Sequence, residues 1–372
     1  MTSYLSHLEC TICGAEYPSD RLSGVSPCCG KVLYARYDLP RIRAEVDRDR
    51  LAERTPNMWR FAELLPVDDP DNIVTLGEGG TPLMELKNLE QALGVSNLYV
   101  KEEGLNPTGT FKARGIAAAI SKGLELGATG FTMPSAGNAA GAAAAYCARA
   151  GLSAKLNLVD GLIGDAGRQA VAVAQEQGLF DLSTLKEPYR AEGKKSMGLE
   201  LAMQFGWRMP EAIIYPAGGG TGIIGMHKGF LELLELGWIK GDLPKFIAVQ
   251  AEGCQPIVKA FHEGKDTAEP WPNATTVADG LRVPGPFADY LMLHAIRDTG
   301  GTALAVSDAD MIAAMYELAT AEGIFACPEG AATLVGYKRL IAEGFLRKDE
   351  TTVLFNTGSG YKYLQLIEGV KG

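Results

Sequence analysis

From about residue 95 onward, short apolar runs alternate with alanine-rich helical stretches, and this alternation restricts the fold more than any other feature. Residues 97–101 read as a strand. Residues 114–126 read as a helix closed by Gly127, 130–134 as a strand, and 139–150 as a helix ending at Gly151. A strand at 154–159 and a helix at 165–177, stopped by Gly178, follow. The pattern resumes with strand 212–216, helix 223–236, strand 246–250 and helix 308–322, and closes with strand 352–355. Strand and helix in alternation predict an α/β fold of parallel sheets with helices on both faces. Ligands of such sheets gather at the carboxyl ends of the strands. The 372 residues leave room for about two to three domains.

The first 40 residues stand apart. Cys10-x-x-Cys13 and Cys28-Cys29-Gly30 lie in a polar, turn-rich stretch, and Ser26 sits where a second C-x-x-C would begin. Four thiolates suit a tetrahedral structural zinc site, whereas adjacent cysteines strain to reach one ion. A zinc knuckle and a metal-free knuckle both stand at this point. Residues 41–75, with Trp59 and the apolar Phe61, Leu64 and Leu65, read as a helix leading into a connector, Pro66-Val-Asp-Asp-Pro70.

Composition removes several function classes. Lys and Arg total 35 against 45 Asp and Glu, a net charge of −10. Nucleic-acid affinity rests on clustered cations, so no nucleic-acid partner is expected. No apolar run approaches the ~20 residues of a membrane helix, so no membrane partner is expected either. The seven cysteines with no secretory leader point to a reducing cytoplasm. With four histidines, a histidine-built metal centre or a Ser-His-Asp triad is not expected. Cys147, Cys254 and Cys327 read as small core residues.

Four loops past predicted strands carry the chemistry. In Asn106-Pro-Thr-Gly-Thr-Phe-Lys112-Ala-Arg-Gly115, a lysine opens a helix. The positive helix end would depress its amine pKa, as Schiff-base chemistry requires. In Ser135-Ala-Gly-Asn138, the serine or asparagine either caps the next helix or hydrogen-bonds a ligand. Gly218-Gly219-Gly220-Thr221-Gly222 joins a strand to a helix and offers backbone N–H groups to an anion. Gly220, Gly222 and Gly225, with Glu252 beyond, also match a dinucleotide fingerprint. That match falls late in the series and is set aside. The last loop, Asn356-Thr357-Gly358-Ser359-Gly360, offers a neutral hydroxyl that suits a ring nitrogen or merely a turn.

As a set, these loops resemble pyridoxal-phosphate enzymes of the tryptophan-synthase β fold type, and among them the threonine synthase family. The resemblance covers nearly the whole chain. It takes in the cysteine knuckle with Tyr37-Asp38, Gly77-Glu-Gly-Gly-Thr-Pro-Leu83, the lysine loop, S-A-G-N, Glu192-Gly-Lys-Lys-Ser196, the glycine loop and the final T-G-S-G. It implies two open, twisted, mostly parallel sheets with helices on both faces. The implied parts are a knuckle at 1–40, a small α/β domain at 95–196, and a large cofactor-binding domain at 41–94 and 197–372. It implies pyridoxal phosphate as cofactor and a homodimer. Lys112 would carry the cofactor covalently, Asn138 would meet the ring 3′ oxygen, Gly218, Gly219, Gly220, Thr221 and Gly222 would hold its phosphate, and Thr357 would face the ring nitrogen. Arg114 and Ser135 are the expected substrate contacts. Lys194 and Lys195 are either phosphate ligands or a solvated charge run. The implied reaction turns O-phosphohomoserine and water into threonine and phosphate.

The family commonly reads F-K-D-R-G and S-S-G-N-T. This chain has Ala113, Ala136 and Ala139 at the corresponding places. K-x-R-G and S-A-G-N are also similar to serine/threonine dehydratases, so a dehydratase, or a β-replacing enzyme related to cysteate synthase, is the second expectation. A nicotinamide-dependent oxidoreductase and a catalytically silent binding protein are the readings from other classes.

Overall fold

A computed structural model describes residues 2–135, 137–152, 154–156 and 172–367. Along the chain it forms strands β1 (Leu5–Cys10), β2 (Glu16–Tyr17) and β3 (Leu33–Tyr37), helix α1 (Leu39–Glu45), β4 (Leu83–Glu85), α2 (Lys87–Leu93) and β5 (Leu98–Glu102). Then come α3 (Lys112–Glu125), β6 (Phe131–Met133), α4 (Asn138–Arg149), β7 (Ala154–Leu156), β8 (Phe180–Asp181), α5 (Tyr189–Gln204), β9 (Ala212–Pro216) and α6 (Thr221–Glu235). The described series ends with β10 (Lys245–Ala251), α7 (Pro256–His262), α8 (Asp289–Asp298), β11 (Thr302–Val306), α9 (Asp308–Glu322), α10 (Pro328–Ala342) and β12 (Thr352–Asn356).

The chain divides into two compact units. One comprises Met1–Gly80, Lys112–Met203 and Ile224–Lys240; the other comprises Thr81–Phe111, Gln204–Ile223 and Gly241–Gly372.

The second unit holds a six-stranded sheet in the order β11-β10-β9-β12-β5-β4. Its pairings are parallel except β4 with β5, which is antiparallel. Val100, Ile214, Ile247, Val249 and Leu354 are buried in its core. Strands covered on both faces read as near-continuous apolar runs, which is why these were visible as strands. Each such side chain contributes roughly 1.5–3 kcal/mol on burial. Helix α9 takes the bounds expected of it. Ser307 caps its start by accepting from Asp310 N–H, and Gly323 ends it at φ 71°, a left-handed conformation that favours glycine.

The first unit holds two three-stranded sheets. One is the antiparallel ribbon β2-β1-β3, and the other is the parallel set β7-β6-β8. Helix α5 lies against α3 and α6 through glycines. A Cβ at Gly193 would stand 2.2 Å from the Arg114 carbonyl oxygen, and one at Gly225 would stand 2.8 Å from that of Ala191.

Two local differences from expectation have clear causes. Residues 41–75 form no long helix. After α1, the chain makes 3₁₀ turns at Arg48–Glu53, Met58–Leu64 and Pro70–Asn72, each opened by an Asp or Asn side chain that accepts a backbone N–H. Such side chains compete with helical hydrogen bonds. Helices α5 and α10 were also not read from the sequence; in α5 the cause is that the charged run Glu192-Gly-Lys-Lys-Ser196 looks solvated although it is buried. The helix expected at 165–177 and the end of the strand expected at 154–159 lie largely outside the described residues.

Candidate active site

In the second unit, three adjacent parallel strands, β9, β12 and β5, end in three of the glycine-bearing loops. The loop after β9 is Gly218–Gly222, which leads into the 15-residue helix α6. Gly220 has φ 75°, and a Cβ on Gly218 would stand 2.1 Å from the Gly280 carbonyl oxygen. Among the described hydrogen bonds, none takes up the backbone N–H of Gly218, Gly219 or Gly220. N–H groups left open ahead of a helix form an anion cradle, and a phosphate monoester fits it.

The other two loops are joined to each other. Phe111 N–H donates to the Thr357 carbonyl oxygen (3.0 Å), and Ser359 N–H donates to that of Gly109 (2.9 Å). Thr110 and Gly358 form an antiparallel bridge, and Gly109 turns at φ 70°. The peptide before Lys112 is therefore held by the peptide at Thr357. Lys112 is the next residue and opens α3.

Beneath Thr357 lies a polar cluster that sequence reasoning missed. Asn356 Nδ2 donates to both carboxylate oxygens of Glu102 (2.7 and 2.8 Å). Gly104 N–H donates to the same carboxylate (2.9 Å). Burial pushes the Glu102 carboxyl up to about 7, against the lowering pull of those donors. Cys327, expected as a plain core residue, caps α10. Its Sγ lies 3.6 Å from Asn356 Oδ1 and 3.9 Å from Thr357 Oγ1. Burial holds its thiol well above the usual range, so it is a neutral neighbour of Thr357 and not a thiolate nucleophile. Glu329 accepts from Gly280 N–H (2.8 Å) and the Tyr363 hydroxyl (2.6 Å). It thereby fixes the turn that abuts Gly218.

Glu102 supplies a pH prediction. Its ionisation is harder in the folded chain than in the unfolded one. The unfolded state therefore releases this proton first, near the ordinary carboxyl value. Stability attributable to Glu102 is greatest below about 4.5 and is lost as pH rises through about 7. The Glu102→Gln protein should lack that decline. Urea midpoints of both proteins between pH 5 and 8 test this. Parallel profiles would show that Glu102 does not titrate there. The comparison also separates Glu102 from Glu187, which burial likewise raises to about 7.

In the first unit, Ser135 and Asn138 follow β6. The cap of α4 is Gly137, and no side chain makes a capping hydrogen bond. The capping reading of Ser135 and Asn138 therefore falls away. Both are half-buried at the carboxyl end of a strand.

Arg114, expected to clamp substrate, is fully buried and points elsewhere. Its Nη1 and Nη2 donate to the two Glu200 carboxylate oxygens (2.8 and 2.7 Å), and Nη1 also reaches Ser196 Oγ (3.0 Å). The guanidinium fork is occupied within the helix packing of α3 and α5. Glu200 also accepts from Gly80 N–H (2.7 Å), which ties the Gly77–Leu83 motif to the same pair. Glu78 of that motif is buried and accepts from Trp59 Nε1 (2.7 Å) and Tyr146 Oη (2.6 Å).

Lys194 and Lys195 are neither solvated nor open to a phosphate. Both are buried. Lys195 Nζ lies 2.6 Å from Glu192 and 2.8 Å from Glu232, and Lys228 pairs with the same two carboxylates. Tyr37 donates its hydroxyl to Glu192 (2.9 Å), and its ring centre lies 3.8 Å from Lys195 Nζ. Burial opposes ionisation of Glu192, but the two lysines outweigh it and hold the carboxyl below its usual range.

The four N-terminal cysteines also meet. Their Sγ atoms all lie within 4.8 Å of one another. No helix of the described residues is long and apolar enough to cross a membrane.

Comparison with known proteins agrees with this architecture. The family model "Pyridoxal-phosphate dependent enzyme" matches residues 74–161 and 152–358. The threonine synthase of Methanosarcina acetivorans is 37% identical, over 97% of this chain and 93% of its own. That of Methanocaldococcus jannaschii is 36% identical, over 95% and 92%. Among solved structures, threonine deaminase isoform 2 from Solanum lycopersicum superposes with TM-score 0.65 at 20% identity. That match covers 86% of this chain and 89% of that one. Maize serine racemase gives 0.62 at 21% identity, over 75% and 89%. These two show the fold. The family match also displaces the nicotinamide reading of Gly220, Gly222 and Gly225. The cradle, the lysine loop held at Thr357 and the full-length match to two synthases agree on one assignment: the chain belongs to the pyridoxal-phosphate dependent enzymes, fold type II, and within them to the threonine synthase family of lyases.

Proposed function

We propose that this chain converts O-phosphohomoserine and water to threonine and phosphate by γ-elimination followed by β-addition of water. The observation that carries this reading is identity of 36–37% along nearly the full length to two threonine synthases. Pyridoxal phosphate, when bound, supplies the electron sink that makes an amino acid's α-proton removable.

The roles proposed for the chain's own groups follow their chemistry. The N–H groups of Gly218–Gly222 hold the cofactor phosphate, with Glu329 and Gly280 keeping that loop in place. Thr357 offers a hydroxyl to the ring nitrogen, too weak an acid to give up its proton there; Cys327 Sγ lies 3.9 Å from that hydroxyl, and Glu102 fixes the neighbouring Asn356. Asn138 offers its amide to the 3′ oxygen, and Ser135 a hydroxyl to substrate. Lys112 anchors the cofactor and then moves protons at the α, β and γ carbons in turn. Arg114 is a positioning residue, locking α3 to α5 through Glu200. A homodimer in the cytoplasm is the proposed setting.

Ala113 and Ala139 keep a second reading in view, a serine/threonine dehydratase or β-replacing enzyme. Ala113 is fully buried on α3, so the acidic side chain common there in the family would be a charge inside this unit. The deciding assay measures phosphate and threonine formed from O-phosphohomoserine, beside keto acid released from serine and threonine. Phosphate and threonine in equal amounts are expected. No phosphate, with turnover of serine or threonine, would establish the second reading.

A further inference from the structure

The two cysteine-bearing turns of the N-terminal ribbon are copies of one backbone motif. In the first, Cys10 N–H donates to the Ala15 carbonyl (2.9 Å) and Gly14 N–H to the Cys10 carbonyl (3.0 Å). In the second, Ser26 N–H donates to the Lys31 carbonyl (2.8 Å) and Gly30 N–H to the Ser26 carbonyl (2.8 Å). Gly14 and Gly30 take nearly the same left-handed φ, 67° and 66°. The turns are cross-linked by Thr11 N–H donating to the Val32 carbonyl (3.1 Å). Position by position, Ser26 matches Cys10, Cys28 matches Ile12, Cys29 matches Cys13 and Gly30 matches Gly14. The adjacent Cys28-Cys29 pair is thus no departure from a paired-knuckle plan. Cys29 occupies the regular position, and Cys28 supplies the thiol that Ser26 lacks.

The sulfurs close the argument. Cys10 Sγ lies 3.2 Å from Cys29 Sγ, and Cys13 Sγ lies 2.7 Å from Cys28 Sγ. All four fall within 4.8 Å, and all four cysteines are free of disulfides. Zinc–sulfur bonds of ~2.3 Å in a tetrahedron place sulfurs about 3.8 Å apart, inside this range. Ser26 Oγ lies 3.1 Å from Cys28 Sγ, so a thiol on residue 26 would stand beside the same group.

We infer that Cys10, Cys13, Cys28 and Cys29 bind one zinc ion in a closed structural site, with Cys28 standing in for the missing thiol at position 26. The site ties β1 to β3 at Cys10 and Leu33. Farther along the same ladder is Tyr37, which covers Lys195 and Glu192. This inference is independent of which amino acid the enzyme takes.

The test is metal analysis of the untagged full-length holoenzyme, purified under reducing conditions and dialysed against zinc-free buffer. About one zinc per chain is expected. Growth with cobalt should give the absorption of tetrahedral cobalt thiolate. Losing even an outer partner of a metal ligand costs about 10–100-fold in affinity. Cys28→Ser should therefore lower zinc content at least about tenfold after dialysis against a chelator. The double variant Ser26→Cys, Cys28→Ser should regain zinc, because the thiol then sits at the regular position. Wild-type protein without zinc, with iron in its place, or with a Cys13–Cys28 disulfide under those conditions would overturn the inference.

Discussion

The Lys112→Ala protein is expected to lose turnover by at least about 10³-fold, since in the proposed mechanism one amine anchors the cofactor and moves protons at three carbons. The fold should survive, because Lys112 is half-buried at the first position of α3 and alanine is a good helix former there. Other lysines of the same unit are committed elsewhere. Lys122 is buried against Asp68 and Glu125, and Lys195 and Lys228 against Glu192 and Glu232. Borohydride reduction of the holoenzyme followed by peptide mapping gives the direct check. The label should fall on the peptide containing Lys112, and the Lys112→Ala protein should retain cofactor only by reversible binding. A label on any other lysine would undo the site assignment.

The Glu192→Ala protein should show the largest loss of stability, about 3–5 kcal/mol, because two buried ammonium groups would then share one carboxylate. Lost packing alone would cost less and would not depend on charge balance. A paired variant separates the two effects. Glu192→Leu with Lys195→Met leaves Lys228 opposite Glu232, a neutral pair, and should be clearly more stable than Glu192→Ala. Urea unfolding of the three proteins measures the difference. If the double variant is no more stable than the single one, the cluster's electrostatics do not govern this part of the fold.

This cluster also shows where sequence reading runs out. Glu192-Gly-Lys-Lys-Ser196 looks like a solvated run or a phosphate site, since each charge is judged beside its chain neighbours. The partners that bury it come from 155 residues upstream at Tyr37 and 36 residues downstream at Lys228. Arg114 misleads in the same way, for its carboxylate partner is 86 residues on. Strands β5, β9, β10 and β12 and the four loops were legible because both follow local rules: apolar runs mark strands covered on both faces, and glycine marks turns and cradles; β4 and β11, at the two edges of the sheet, were not read as strands. Helix α9 was legible to the residue because its cap and its stop are written in Ser307 and Gly323. Glu102 and Cys327 were not legible, because their surroundings exist only once β5 and β12 are side by side. The paired knuckle was hidden by Cys28, whose equivalence to Ile12 is a property of backbone hydrogen bonds and not of spacing.

The place of β12 in the sheet has a consequence for the order of assembly. It is the last strand of the described chain, yet it pairs with β5 on one side and β9 on the other. Until residues 352–356 leave the ribosome, β5 and β9 face an empty slot with unpaired edges. The Phe111 and Gly109 bonds to residues 357–359 have no partner for the same interval. Contacts of such long sequence separation form late and slowly. A chain from which residues 352–359 are missing therefore cannot complete the peptide frame in front of Lys112.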